Sequence, residues 1–147
     1  MSGFLLDTNI ISELIRPRPD AKVTAWLKGL DEDLLYLSVL TLGEIRKGVA
    51  ALTDAGRRVS IEAWLEKDLR RRFEGRIIPV SEGVADRWGV IAGHAQKNKV
   101  LIPVIDGLLA ATAIHHNLTL VTRNAKDVAM TGASVFNPFD VQHFDIA

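Results

Sequence analysis

The sequence predicts an α/β fold, a three-layer α/β/α sandwich with a central, mainly parallel five-stranded sheet. Short apolar runs alternate along the chain with longer segments in which apolar residues recur at helical spacing. The runs are nearly continuous instead of alternating with polar residues, which is typical of parallel strands covered on both faces. The helical segments between them provide the crossover connections that parallel strands need.

Five apolar runs are the candidate strands. The fourth, Leu-Thr-Leu-Val-Thr, is rich in β-branched residues and gives the clearest strand signal. The fifth gives the weakest signal because it is short. We predict strands over Phe4–Leu6, Leu34–Val39, Arg76–Val80, Leu118–Thr122 and Ser134–Phe136.

Helical spacing defines the elements between the strands. The first helix ends before Pro17, because proline cannot continue a helix. The third opens with Thr41-x-x-Glu44, a capping-box pattern, which predicts that Thr41 caps this helix. We predict helices over Thr8–Ile15, 21–29, Thr41–Leu52, 57–74, 82–97 and Asp106–His116.

The composition indicates one globular domain over residues 1–147. The chain has no cysteine, which excludes disulfides, thiolate zinc sites and a cysteine nucleophile. It has no run of roughly 18 apolar residues that could span a membrane, and no basic region precedes Asp7 as in a signal peptide. We therefore expect a cytoplasmic protein with no membrane partner. The 18 basic and 18 acidic residues cancel, so a nucleic-acid site has to be a local patch.

Acidic residues follow the predicted strands at the places where parallel sheets carry functional groups. Asp7 ends the first strand, Glu44 lies in the first turn after the second, and Asp106 opens the helix after an apolar run. A polar cluster, 122–127, follows the fourth strand. Each acid is also compatible with an ordinary helix cap, because acids are favoured at helix starts.

If the fold brings these strand ends together, several carboxylates share one pocket. Like charges at close range repel, so protons or a divalent cation must neutralise them. A ligand set made only of oxygen atoms suits Mg²⁺, for which Mn²⁺ can substitute. Mg²⁺ with few protein ligands keeps water molecules and contacts phosphate, as in metal-assisted hydrolysis of phosphodiesters.

Four segments resemble, in order, the four motifs of PIN domains, and within that family the VapC/FitB-type toxins of bacterial toxin–antitoxin pairs. The resemblance extends from about residue 4 to residue 139. The segments are Phe4-Leu5-Leu6-Asp7-Thr8-Asn9-Ile10-Ile11-Ser12, Ser38-Val39-Leu40-Thr41-Leu42-Gly43-Glu44-Ile45, Ile105-Asp106-Gly107-Leu108-Leu109-Ala110-Ala111-Thr112-Ala113 and Leu120-Val121-Thr122-Arg123-Asn124-Ala125-Lys126-Asp127.

The resemblance implies an Mg²⁺-dependent endoribonuclease that hydrolyses RNA with metal-activated water. Its metal-binding acids correspond to Asp7, Glu44 and Asp106 of this chain. Many PIN domains have a fourth acid where this chain has Asn124. Asp127 is close by in the sequence and is the candidate to replace it, whereas Asn124 is the candidate neutral ligand or water-orienting group.

Other polar residues of these motifs are candidates for supporting roles. The resemblance implies that five of them hydrogen-bond the carboxylates or the RNA phosphate: Thr8, Asn9, Ser12, Thr122 and Asn124. For Thr8, Asn9 and Ser12 the alternative is a polar residue satisfied within the first turn of its own helix. Four basic residues are candidates for holding RNA phosphates because they are near the acids in sequence: Arg123, Lys126, Arg46 and Lys47.

The resemblance also implies a small VapB-like antitoxin and a homodimer. We expect the antitoxin to lay an amphipathic segment against helices 8–15, 21–29 and 41–52, with a cationic side chain reaching the acids. Two other functions remain open. One is a PIN-fold binding module without catalysis. The other is a phosphatase with Asp7 as its aspartyl nucleophile, but such an enzyme needs an aspartate as general acid two residues later, where this chain has Asn9.

Overall fold

The computed structural model describes residues 3–140. Its five strands form one sheet in the order β3-β2-β1-β4-β5, and every neighbouring pair is parallel. All five predicted strands are confirmed, although each except the first is shorter than predicted. The strands are β1 (Phe4–Leu6), β2 (Leu35–Ser38), β3 (Ile77–Ile78), β4 (Thr119–Val121) and β5 (Val135–Phe136).

Helices connect these strands and cover both faces of the sheet. They are α1 (Thr8–Ile11), α2 (Ala21–Lys28), α3 (Val39–Ala50), α4 (Ala55–Ala63), α5 (Arg70–Arg72), α6 (Glu82–Lys97), α7 (Val104–His115) and α8 (Ala125–Ala129). A π-helical turn (Trp64–Leu69) joins α4 to α5, so the helix predicted over 57–74 contains an irregular middle. Within residues 3–140, no helix combines the length and the apolar character needed to cross a membrane.

The sheet separates two hydrophobic layers. Consecutive strand residues point to opposite faces, and Leu5 and Leu120 pack in one layer while Leu6 and Val121 pack in the other. The layer around Leu6 includes apolar side chains of α1 to α4 and of the π-helical turn, and the layer around Leu5 includes those of α7 and α8. The three-layer sandwich expected from the sequence is therefore confirmed. Met1, Ser2 and residues 141–147, which the predicted domain includes, lie outside the described residues.

The start of α3 differs from the prediction. The strand ends at Ser38, whose Oγ accepts a hydrogen bond from the backbone N–H of Leu40 at 3.0 Å, so Ser38 is the N-cap. The capping box at Thr41 is thus wrong: Thr41 lies inside the helix and is fully buried. Its hydroxyl has no hydrogen-bond partner within residues 3–140. The apolar residues Val39 and Leu40 extended the predicted strand because hydrophobicity alone does not mark where a buried strand becomes a buried helix.

The strand order places a topological switch point at the centre of the sheet. From β1 the chain proceeds to β2 and β3 on one side, then crosses to β4 and β5 on the other. Beyond the carboxyl ends of β1 and β4, the connections therefore diverge and leave a crevice, where open α/β sheets bind ligands. α7 begins after Pro103, so Asp106 lies in its first turn and does not open it.

A stability comparison tests the assignment of the α3 cap. Ser38→Ala should lower the free energy of unfolding by about 1 kcal/mol, because it removes a capping hydrogen bond. Thr41→Val, which is nearly isosteric, should be neutral or stabilising by about 1 kcal/mol, because it removes a buried hydroxyl without a partner. Denaturant unfolding measures both. If Thr41→Val lowers the free energy of unfolding as much as Ser38→Ala does, the predicted capping box at Thr41 is correct after all.

Candidate metal centre at the switch point

Asp7 is fixed at the carboxyl end of β1 by groups from β4 and α1. Its backbone N–H donates to the carbonyl of Val121 at 2.9 Å and continues the pairing of the two strands. Its carboxylate accepts hydrogen bonds from the Thr8 N–H at 2.7 Å and from the Thr122 hydroxyl at 2.8 Å. The residue is 6% exposed. Asp7 is therefore a buried carboxylate held from two sides at the carboxyl end of β1.

Asn9 connects Asp7 to the loop after β4. Its Nδ2 makes longer hydrogen bonds, both 3.4 Å, to Asp7 Oδ2 and Thr122 Oγ1. Its Oδ1 accepts from the backbone N–H of Arg123 at 3.2 Å. The N–H of Asn124 donates to Thr122 Oγ1 at 3.1 Å, while the Asn124 side chain makes no capping hydrogen bond at the start of α8.

Glu44 is tied to the same site through Thr8. The Thr8 hydroxyl donates to Glu44 Oε1 at 2.6 Å, and Glu44 lies in the second turn of α3, half-buried. Ser12 begins the 3-10 turn after α1, and among the described residues its hydroxyl bonds none of the carboxylates. Among the five predicted supporting polar residues, Thr8, Asn9 and Thr122 hydrogen-bond a carboxylate of the site. Asn124 contacts Thr122 through its backbone only, and Ser12 lines an adjacent groove.

The carboxylates of four elements interact electrostatically. Burial raises the pKa of Asp7 more than any other effect, hydrogen bonds from Thr122 and Thr8 oppose that rise, and the charges of Asp106 and Glu44 add to it. Burial likewise raises the pKa of Asp106, and the charges of Glu44 and Asp127 raise it further. Asp106 therefore repels Glu44 and Asp127, and Asp7 is repelled by Asp106 and Glu44, so repulsion links the four predicted acids through Asp106.

These residues fit a hard divalent cation by the chemistry of their donors. The candidate ligand atoms are the carboxylate oxygens of the four acids and the amide oxygen of Asn124, and a cation would neutralise the negative charge by which the acids repel one another. Within residues 3–140, no three histidine or acidic side chains are close enough to form a closed cage for a metal. Mg²⁺ does not need one, since it is held by one or two carboxylates together with water and substrate phosphate.

The predicted RNA-binding cations differ in how they are placed. Arg46 forms ion pairs with Glu62 and Glu66 across the π-helical turn, and Lys47 is exposed in the last turn of α3. Arg123 and Lys126 are exposed at the loop after β4, beside the acids. The structure thus leaves Arg123 and Lys126 next to the carboxylates and gives Arg46 two anionic partners.

One neighbour of the site was missed in the sequence. The guanidinium of Arg123 stacks on the ring of Phe139, with its central carbon 3.8 Å from the ring centroid. Asn137 donates from Nδ2 to the Arg123 carbonyl at 3.2 Å. The dipeptide Asn137-Pro138 is a turn signal that could have drawn attention to this segment, but its position against Arg123 depends on the parallel pairing of β4 and β5.

Comparison with known proteins agrees with this geometry. A family model described as PIN domain matches residues 4–129. This chain belongs to the PIN domain family. The resemblance stated from the four motifs is therefore confirmed, and with it the fold that the resemblance implied.

Individual PIN proteins are similar over nearly the whole chain. Toxin FitB of Neisseria gonorrhoeae is 40% identical over 135 residues, which is 92% of this chain and 97% of that protein. VapC ribonuclease Y4jK of Sinorhizobium fredii is 32% identical over 136 residues, 92% of this chain and 97% of that protein. The crystal structure of FitAcB from Neisseria gonorrhoeae aligns with a TM-score of 0.89 at 39% identity, covering 94% of this chain and 99% of that chain.

The repulsion among the acids predicts that Asp106→Asn stabilises the metal-free protein at neutral pH. A raised pKa means that the folded state favours the protonated acid, so wild-type stability is fully present below about pH 4 and is lost as the pH rises through the raised pKa. The variant should therefore match wild type at pH 4 and exceed it increasingly towards pH 7. Denaturant unfolding in EDTA measures the difference.

Asp68→Asn is the matched control for this experiment. Asp68 is exposed in the π-helical turn and, like Asp106, is an acid that accepts no hydrogen bond from the described residues. Asp68→Asn should show no comparable gain in the free energy of unfolding over wild type as the pH rises from 4 to 7. A fall in stability for Asp106→Asn would assign Asp106 to the cap of α7 instead of to a repelling cluster.

Proposed function

We propose that this chain is an Mg²⁺-dependent endoribonuclease that acts in the cytoplasm as the toxin of a toxin–antitoxin pair, with residues 1–147 forming a single nuclease domain. The observation that carries the proposal is the buried carboxylate of Asp7, coupled to Glu44 and Asp106 at the switch point. The similarity to a protein named toxin FitB and to one named VapC ribonuclease supports it. The proposed partners are RNA, a small antitoxin and a second copy of the chain.

Asp7, Glu44 and Asp106 are the proposed metal ligands, with Asp127 completing the set. A bound Mg²⁺ would supply positive charge beside the scissile phosphate and would lower the pKa of a water molecule. The chain's own residues do the positioning: Thr122 and Thr8 fix the Asp7 carboxylate, and the Thr8 hydroxyl fixes Glu44. No histidine is needed as a general base, and none of the described residues around Asp7 is one.

The antitoxin has a groove available beside the acids. Thr8, Ser12 and Glu44 form one end of this groove, and the apolar side chains of Ile45, Leu52, Ile61 and Trp64 line it further along. An amphipathic segment could place its apolar face there and a cationic side chain at Glu44. The lining comes from α1, α3 and α4, whereas the predicted contact with α2 is not part of the groove because α2 packs through Trp26 against Phe4 and Phe136.

The proposal predicts metal-dependent cleavage that requires Asp106. Wild type with Mg²⁺ should cut RNA to 5′-phosphate and 3′-hydroxyl ends, since water attacks the phosphorus and the 3′-oxygen leaves. EDTA should abolish cleavage. Asp106→Asn should reduce the rate by more than about a hundredfold, because even groups behind metal ligands contribute 10–100-fold, and Asp68→Asn should cleave normally. End-labelled RNA with chemical analysis of the termini measures each outcome.

Expression in cells separates the alternatives. Wild type should arrest growth, and Asp106→Asn should not. Cleavage to 2′,3′-cyclic phosphates, or full activity in excess EDTA, would overturn the metal-assisted scheme. If wild type binds RNA without cleaving it in any metal, the catalytically silent binding module is the better explanation.

A separate prediction concerns Asp127, which replaces the commoner fourth acid. Asp127 is exposed in the first turn of α8, and its charge raises the pKa of Asp106. If it belongs to the ligand set, Asp127→Asn should lower activity at limiting Mg²⁺ and regain part of it at high Mg²⁺ or Mn²⁺, because metal affinity is what falls. If it only complements the helix dipole, activity stays normal and stability falls by about 0.3–1 kcal/mol. Rates measured across a metal titration decide between these roles.

A further inference from the structure

A cavity of about 460 Å³ opens directly beside the acidic cluster. Arg123, which lines the cavity, comes directly after Thr122 in the sequence, and the hydroxyl of Thr122 donates a hydrogen bond to Asp7. Its walls are formed by residues from two segments, the loop and first turn of α8 and the turn after β5, namely Arg123, Lys126, Asp127, Asn137, Phe139 and Asp140. Of these residues, Asp127 is also a proposed metal ligand, and none of them lines the proposed antitoxin groove.

The most distinctive feature of the cavity is an arginine held flat on a ring. Arg123 lies over Phe139 at 3.8 Å, close enough for a strong cation–π contact. Phe139 is 8% exposed and packs into the core, and Lys22 of α2 donates from Nζ to its carbonyl at 3.1 Å. The backbone of Arg123 is held as well, by Asn9 and Asn137. The guanidinium is therefore covered on one side by the ring of Phe139, although the residue as a whole remains exposed.

The charges around the cavity argue against a site for phosphate alone. Arg123 and Lys126 are balanced by Asp127 and Asp140, so the formal charges of the lining cancel. A phosphate in the middle of this lining would face two carboxylates as well as two cations. A nucleobase suits it better, because a base is neutral, has an extended π-face and carries hydrogen-bond donors that a carboxylate such as Asp140 accepts.

We propose that this cavity receives the base of the nucleotide adjacent to the cleaved bond, stacked on the outer face of the Arg123 guanidinium. Arginine planes stack on unpaired bases of single-stranded RNA, and the position of Arg123 one residue beyond Thr122 puts the platform next to the acids that would face the phosphate. This inference rests on the proposed ribonuclease function. It adds a specificity-determining residue, Arg123, backed by Phe139, and predicts a single-stranded substrate at this position.

Binding of small probes tests the platform without any cleavage. In NMR titrations of wild type, the four nucleoside 5′-monophosphates should shift the Arg123 Nε–H signal and, for at least one base, bind about five-fold or more tightly than ribose 5-phosphate, which lacks the base. Arg123→Lys keeps the charge but removes the plane, so it should abolish this advantage. Lys126→Ala should weaken the binding of the monophosphates and of ribose 5-phosphate by the same factor. If ribose 5-phosphate binds wild type as tightly as every nucleotide, the stacking proposal is wrong.

Cleavage of modified RNA tests the same residue in the reaction. An abasic nucleotide next to the cleaved bond, on one side or the other, should lower kcat/KM for wild type by about five-fold or more. For Arg123→Lys, the same abasic RNA should give the same kcat/KM as intact RNA, because this variant lacks the guanidinium on which the base would stack. Equal losses for wild type and the variant, or none for wild type, would overturn the proposal while leaving the ribonuclease in place. If no RNA is cleaved at all, the proposed function fails and the NMR titration still decides whether the cavity binds bases.

Discussion

The hydrogen bond from the Thr122 hydroxyl to the Asp7 carboxylate, 2.8 Å long, is the interaction on which the site depends. A buried carboxylate is costly, and the raised pKa of Asp7 shows that burial outweighs the hydrogen bonds that favour its charge. The bond forms only because β1 and β4 are parallel neighbours that end at the same level, with Leu6 paired to Val121. The strand order thus creates both the crevice and the partner that keeps a charged group in it.

The four carboxylates differ in how many short hydrogen bonds they accept, and Asp7 accepts the most. Asp7 accepts two short hydrogen bonds and Glu44 accepts one from Thr8, whereas Asp106 and Asp127 accept none from residues 3–140. This gradient explains how four interacting acids can fail to form a closed metal cage in the free protein. The fold holds two carboxylates by hydrogen bonds, and it holds the other two by none from residues 3–140. Such a site can accept a metal that retains water and shares its coordination with a substrate.

The sequence predicted the positions of the acids better than the helix boundaries around them. Asp7 follows β1 and Glu44 lies in the helix after β2, and parallel topology brings such residues to one edge. Asp106 follows an apolar run that is not a strand of the sheet, and α7 carries it to the site. The start of α3 was misplaced because Val39 and Leu40 continue the apolar character of β2 although the chain has already turned at Ser38. The two ion pairs of Arg46 and the stacking of Arg123 on Phe139 join residues 16 to 20 positions apart and could not be derived from local spacing. They depend on how α4 and β5 pack.

The balance of charge over the whole chain limits how this protein could attract the RNA proposed as its substrate. With 18 acidic and 18 basic residues there is no net charge to draw in a polyanion from a distance. Several arginines are committed to internal contacts: Arg46 to acids of the neighbouring helical segment, and Arg72 and Arg76 to Glu32 and to the ring of Phe73. Arg123 differs because its inner face is neutral aromatic carbon, so its charge is not cancelled by a direct ion pair among the described residues. Under the proposed ribonuclease function, RNA recognition depends on short-range contacts, of which the guanidinium of Arg123 beside the cluster of acids is the one proposed above.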